Sequence, residues 1–162
     1  MALTQAMCTS FKSELMLAVH DFRPSSNTGA SVFKLALYTS SATMDANTTA
    51  YASTNEVSST STNYTAGGNA LTNLGTVASN TSSTAGTGYT NFSNLTFSNA
   101  NFTANGALIY NTTPKSNSNA NTTLVNAAVC VIAFGADKTA SNGDFTIVFP
   151  SATNTTAIIR VA

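Results

Sequence analysis

His20 and Asp21 stand side by side in a chain of 162 residues that carries 20 serines. A histidine, a carboxylate and a serine are the parts of a hydrolytic relay in which the imidazole takes the hydroxyl proton. Neighbouring residues on a helix point in different directions, and no Gly-x-Ser-x-Gly elbow presents a serine, so the pair reads as structural rather than catalytic. Asp137, Asn142 and Asp144 carry oxygens that suit a calcium ion. Their spacing departs from the EF-hand loop and Lys138 adds an opposing charge, so a polar hairpin loop with Asx turns is the expectation. Gly67-Gly68 and Gly86 to Gly88 lack the lysine and the fixed glycine spacing of a phosphate loop and read as tight turns. Cys8 and Cys130 are too few for a disulfide framework or a zinc site, and buried free thiols are expected. No catalytic residue, metal ligand or cofactor site is assigned.

Charge is scarce throughout. Six Lys/Arg balance six Asp/Glu, and the stretch from Val57 to Pro114 contains no Asp, Glu, His, Lys, Arg or Cys. Acid–base chemistry, metal ligation and thiol or amine nucleophiles therefore have to come from outside it. Six dispersed cations cannot supply the basic stripe that displaces counterions from nucleic acid. The longest apolar run, 124–134, falls short of the roughly 20 residues a membrane helix needs and is interrupted by Asn126. Thr, Ser and Asn fill 67 positions, which leaves a surface with little electrostatic protection against association and suits a chain that lives inside an assembly. Nine Asn-x-Ser/Thr triplets follow from that composition. The opening residues lack the cationic and apolar regions of a secretory signal, so glycosylation is not expected. Tyr38, Tyr51, Tyr64, Tyr89 and Tyr110 could stack on sugars, but without tryptophan and with few carboxylates they read as core or interface groups.

One helix and a series of strands must position these residues. Met7, Phe11, Leu15, Ala18, Val19 and Phe22 recur at spacings of three and four, which predicts an amphipathic helix over 3–22 with Thr4 as its N-cap and Arg23-Pro24 as its end. Lys12, Glu14 and His20 fall off that stripe or on its margin and are expected to be solvated. Met7, Phe11, Leu15, Val19 and Phe22 are the candidate interface residues, packing within the protomer or against a neighbouring subunit.

From residue 31 onward the pattern turns to period two and β-branched residues. Strands are expected over 31–39, within 69–79, over 89–98, 103–111, 122–134, 145–149 and 156–161. A long packed excursion over 40–68 is expected to be anchored by Met44, Tyr51, Val57 and Tyr64. Loops are expected over 80–87 and 135–144, with a short turn at 98–101. Seven or eight short strands and one helix predict a mainly β, single domain spanning 1–162. It is an antiparallel β-sandwich or jelly-roll-like domain over 31–162 with one N-terminal amphipathic α-helix.

MALTQAMCTSFKSEL, FKLALYTSSATMDANTTAY with Glu56, TAGGNALTN, NGALIYN, FGADKTASNGDFTIVFP and the terminal TTAIIRVA span nearly the whole chain. Together they resemble a group of small structural (virion) proteins of tailed bacteriophages, including phages of aquatic bacteria. The chain departs from that group in 58–63 and 114–121. The resemblance implies a non-enzymatic virion building block, assembled in the host bacterial cytoplasm. The first expectation is a capsid decoration or cement protein stabilising the head shell. It would be homo-oligomeric, with a trimer as the expected form, and bound to the major capsid protein. The alternative is a tail-side component, a baseplate, fibre or spike module contacting tail proteins and used in attachment; a carbohydrate-binding domain ranks third. No nucleic-acid or membrane partner is expected.

Overall fold

A computed structural model describes residues 3–79, 86–116 and 124–161. Residues 80–85 of the expected loop and 122–123 of an expected strand lie outside the described residues. The elements in chain order are β1 (Ala6–Met7), α1 (Thr9–Met16), β2 (Phe33–Tyr38), β3 (Asn69–Ala70), β4 (Asn73–Ser79), β5 (Thr87–Phe92), β6 (Leu95–Asn111), β7 (Ala127–Ile147) and β8 (Ile159–Val161). All strand pairs are antiparallel, in a five-stranded sheet of order β1-β7-β6-β2-β3 and a three-stranded sheet of order β4-β5-β8. The expected mainly β sandwich with an N-terminal helix is the fold observed.

Phenylalanines bind the two sheets together. Phe33 of β2 and Phe92 of β5 lie 5.6 Å apart between ring centroids, Phe22 stacks on Phe33 at 4.5 Å, and Phe149 closes on Phe92 at 5.8 Å. Leu35, Ala36, Leu37 and Tyr38 of β2 are all buried, because β2 is flanked by β3 and β6 and covered on both faces.

The helix is shorter than the expected 3–22. Thr4 is not its N-cap: the Thr4 amide donates to Met44 O at 2.9 Å, and Ala6 and Met7 pair with Val131 and Cys130 as β1. Cys8 is the N-cap residue. At the other end Val19 N–H donates to Glu14 O, Ala18 N–H donates to Leu15 O, and Ala18 takes a φ of 54°. This pair of bonds is a Schellman motif whose left-handed position holds alanine where glycine is usual, so the stop has no glycine to announce it. The apolar spacing nonetheless marks the core: Phe11, Val19 and Phe22 are buried, Phe11 on the helix and the other two on the extended segment after it. Glu14 and His20, expected at the solvated margin, are buried as well.

Two expected breaks are absent. The turn at 98–101 is a bulge inside β6, and the loop at 135–144 is strand, so segments read as separate form strands of 17 and 21 residues. Asn99, Asn142 and Gly135 hold positive φ at these points, and the β6–β7 register shifts between Phe97 and Ala100, between Ala100 and Asn101, and between Ala104 and Gly106. Residues that can reverse a chain here absorb extra residues into a twisted ladder. Two threonine pairs, Thr96 with Thr146 at 2.9 Å and Thr103 with Thr139 at 2.8 Å, lock this ribbon on its outer face.

Candidate functional site

Two polar clusters sit beside the core, the first buried and the second part-buried. In the first, His20 Nε2 lies 2.8 Å from Glu14 Oε2 and Nδ1 lies 3.1 Å from Asn111 Nδ2. The Asn111 amide is oriented by its other bonds, since Oδ1 accepts the Thr113 N–H at 2.9 Å and Nδ2 also donates to Ser31 Oγ at 3.2 Å. Nδ1 must then accept, so the proton sits on Nε2 and is donated to Glu14. Burial holds the imidazole below its usual range, and the Glu14 carboxyl works in the opposite direction without overcoming it. The ring packs 4.9 Å from Phe11 and beside the stacked Phe22–Phe33 pair, at 6.3 and 6.2 Å.

The hydrolytic arrangement is not assembled. Ser31 Oγ meets Asn111, the Asp21 amide and Thr113 O, one link away from the imidazole. Asp21 turns outward to Arg23, with Oδ2 2.6 Å from Nη2, and this partner holds the Asp21 carboxyl below its ordinary range. Both ring nitrogens of His20 are engaged, and among the described residues no hydroxyl or thiol bonds to them.

Glu56 centres the second cluster. Tyr51 donates to Oε2 at 2.6 Å, while Tyr64 and the Gly67 amide donate to Oε1 at 2.6 and 2.7 Å. Tyr64 Oη also accepts the Leu37 amide of β2 at 2.9 Å, and Tyr110 of β6 donates to Gly67 O at 2.7 Å. Tyr51 and Tyr110 stack at 4.7 Å. Burial first, then Glu56, through its hydrogen bond to Tyr51 and Tyr64 and its charge on Tyr38 and Tyr110, drives all four tyrosines well above the usual phenol range. Gly68 completes this corner: at φ 69° a Cβ would lie 1.8 Å from Leu35 O, so only glycine lets the excursion touch β2. The excursion anchors expected at Met44, Val57 and Tyr64 are buried, and Tyr51 is half-buried.

Asp137 accepts from Asn105 Nδ2 at 2.7 Å and Asp144 from the Asn99 amide at 3.3 Å. Among the described residues no group of three or more His, Cys, Asp or Glu side chains converges to hold a metal ion. Cys8 and Cys130 are free and buried, and burial raises their thiols to about 11 and about 12.

Of the candidate interface residues, Phe11, Val19 and Phe22 face the chain's own core, while Met7 and Leu15 are half-buried. Leu15 and Phe22 line an apolar groove of about 260 Å³ with Tyr89, Ile159 and Val161, between the helix and the small sheet. Met16, 83% exposed, extends from the helix into solvent, and Val148 and Val125 are exposed elsewhere on the surface. A second groove, about 570 Å³, runs along β7 past Ile132, Phe134, Phe145 and Ile158. No helix among the described residues is long and apolar enough to cross a membrane.

Neither a family model, nor a curated protein, nor a solved structure matches this chain.

Proposed function

We propose that this chain is a non-enzymatic structural protein of a phage virion, a capsid decoration or cement protein that binds the head shell as a homo-oligomer. One contrast carries the reading. The groups best suited to chemistry are spent as internal braces, His20 on Glu14 and Asn111 and Glu56 on Tyr51 and Tyr64. The outside, by contrast, is poor in charge, exposes Met16, Val125 and Val148, and carries two apolar grooves, one of them lined in part by Val148. A surface of this kind favours being covered by neighbouring subunits. The sequence resemblance to small virion proteins points the same way.

The test is the number of copies of this chain per purified virion, measured by quantitative mass spectrometry against the major capsid protein. Decoration requires a number comparable with that of the shell protein. A handful of copies would move the protein to the tail side, and absence from the particle would overturn a virion role altogether.

A further inference from the structure

We infer that Glu14, His20 and Asn111 form an acid-sensitive latch that fastens helix α1 and the segment after it to the end of β6, and that protonation of His20 at Nδ1 opens it. The three side chains come from three parts of the fold: the helix, the segment leading to β2, and the last residue of β6. They are joined by bonds of 2.8 and 3.1 Å, and the His20 side chain has no exposed surface. The hydrogen-bond chain has a single polarity. Thr113 N–H fixes Asn111 Oδ1, which turns the Asn111 NH2 toward Nδ1, and Nε2–H faces the Glu14 carboxyl. A second proton on the ring would place N–H against N–H2. Rotating the amide to receive it would in turn set the NH2 against the Thr113 amide, so either response leaves a buried donor without an acceptor.

The charged groups around the ring do not relieve that conflict. Glu14 of α1 is the one in contact, and it already holds the proton on Nε2. On the ring's own segment Asp21 is taken by Arg23, and on the segment after β6 Lys115 reaches the same carboxyl at 4.0 Å and donates to Gly29 O. Phe33 from β2 and Asn111 from β6 do not titrate. Cys8, at the start of the helix, feels the Glu14 charge. A groove of about 700 Å³ lined by Leu15, Ala18, His20, Asp21 and Lys115 gives the released segment an open side. Burial lowers the affinity of the folded ring for a proton below the ordinary value of 6.5. The unfolded or unlatched chain therefore binds more protons just below that pH. The latch is fully closed above it, loses strength as pH falls through it, and weakens no further once the folded ring is itself protonated.

His20 is the only histidine, so its ring nitrogens can be followed without assignment ambiguity in the intact 15N-labelled protein. The expected result is an Nε2–H tautomer at about pH 7.5 and a titration midpoint below that of a free histidine. At that same midpoint the amides of Leu17, Ala18 and Val19 should lose at least about tenfold of their exchange protection, corrected for intrinsic rates, while β6 and β7 keep theirs. Titration of the ring with those three amides unchanged would overturn the latch, as would a ring that stays neutral while the helix opens. Asn111→Asp supplies an independent test, because a carboxylate can accept from both Thr113 N–H and Nδ1–H. It should raise the midpoint by about one pH unit or more and keep the helix protected through it. An unmoved midpoint in a folded Asn111→Asp protein would sink the proposal; should that variant not fold, the comparison in the native chain decides alone.

Discussion

The Tyr64 phenol donates to Glu56 Oε1 at 2.6 Å and accepts the Leu37 amide at 2.9 Å, so one hydroxyl joins the irregular excursion to the end of β2. Tyr64→Phe would leave the Leu37 amide and one Glu56 oxygen each short of a partner inside the protein. The expected loss is about 1–3 kcal/mol, read as a lower urea midpoint with an unchanged slope. Glu56→Gln should cost at least as much, because an amide offers one acceptor oxygen where two phenols and the Gly67 N–H converge.

Gly68→Ala tests the crossing beneath that hydroxyl. The added methyl would meet backbone, Leu35 O at 1.8 Å, and not a side chain that can rotate away. Loss of more than about 4 kcal/mol is expected, seen as failure to recover folded protein or as a collapsed melting transition.

Ala18→Gly should stabilise. Alanine holds the left-handed position of the helix stop at φ 54°, where an L side chain costs about 1–2 kcal/mol. Glycine removes that cost and gives back part of it in chain entropy, for a net gain of about 0.5–1 kcal/mol by chemical denaturation.

The helix carries one residue that holds the fold and one, off the apolar stripe, that faces out. Phe11 is fully buried, and Phe11→Ala should cost about 3–5 kcal/mol. Phe11→Ser should cost more, since a hydroxyl replaces part of the ring. Met16→Ser, at a position 83% exposed, should leave thermal stability within about 0.5 kcal/mol and show its effect in the oligomer mass or particle binding.

Alkaline behaviour follows from the tyrosine cluster. The folded phenols bind their protons more tightly than unfolded ones, so their contribution is complete below about pH 10 and is lost as pH rises past it. Phenolate absorbance should show four tyrosines ionising late and together with unfolding. The thiols act alike: with Cys8 raised to about 11 and Cys130 to about 12, neither should react with a thiol reagent near neutral pH until denaturant is added.

Much of this fold is readable from residue patterns because burial leaves a period. Phe33, Leu35 and Leu37 announce β2, and Met44, Val57 and Tyr64 mark where the excursion touches the core. Positions with positive φ were harder to read. Ala18 stops a helix without glycine, while Asn99, Gly135 and Asn142, all good turn formers, serve as bulges because β6 and β7 are already aligned on either side. The His20 cluster was missed for a related reason. Glu14 and His20 lie off the apolar stripe, and nothing near them in sequence signals Asn111, which the sheet brings to the ring. Only the apolar neighbours Phe11 and Phe22, on both sides of the pair, hinted that this segment turns inward.

The pairing of Ala6 and Met7 with Val131 and Cys130 sets a timetable for a chain made from its amino terminus. The first strand leaves the ribosome long before its partner exists, and β2 likewise waits for β6. β6 and β7, neighbours in the chain, close on each other as soon as both are out. The β4–β5 pair can close still earlier, while β1 must wait for a partner more than a hundred residues on, and such long-range pairing is the mark of a slow, non-local folder.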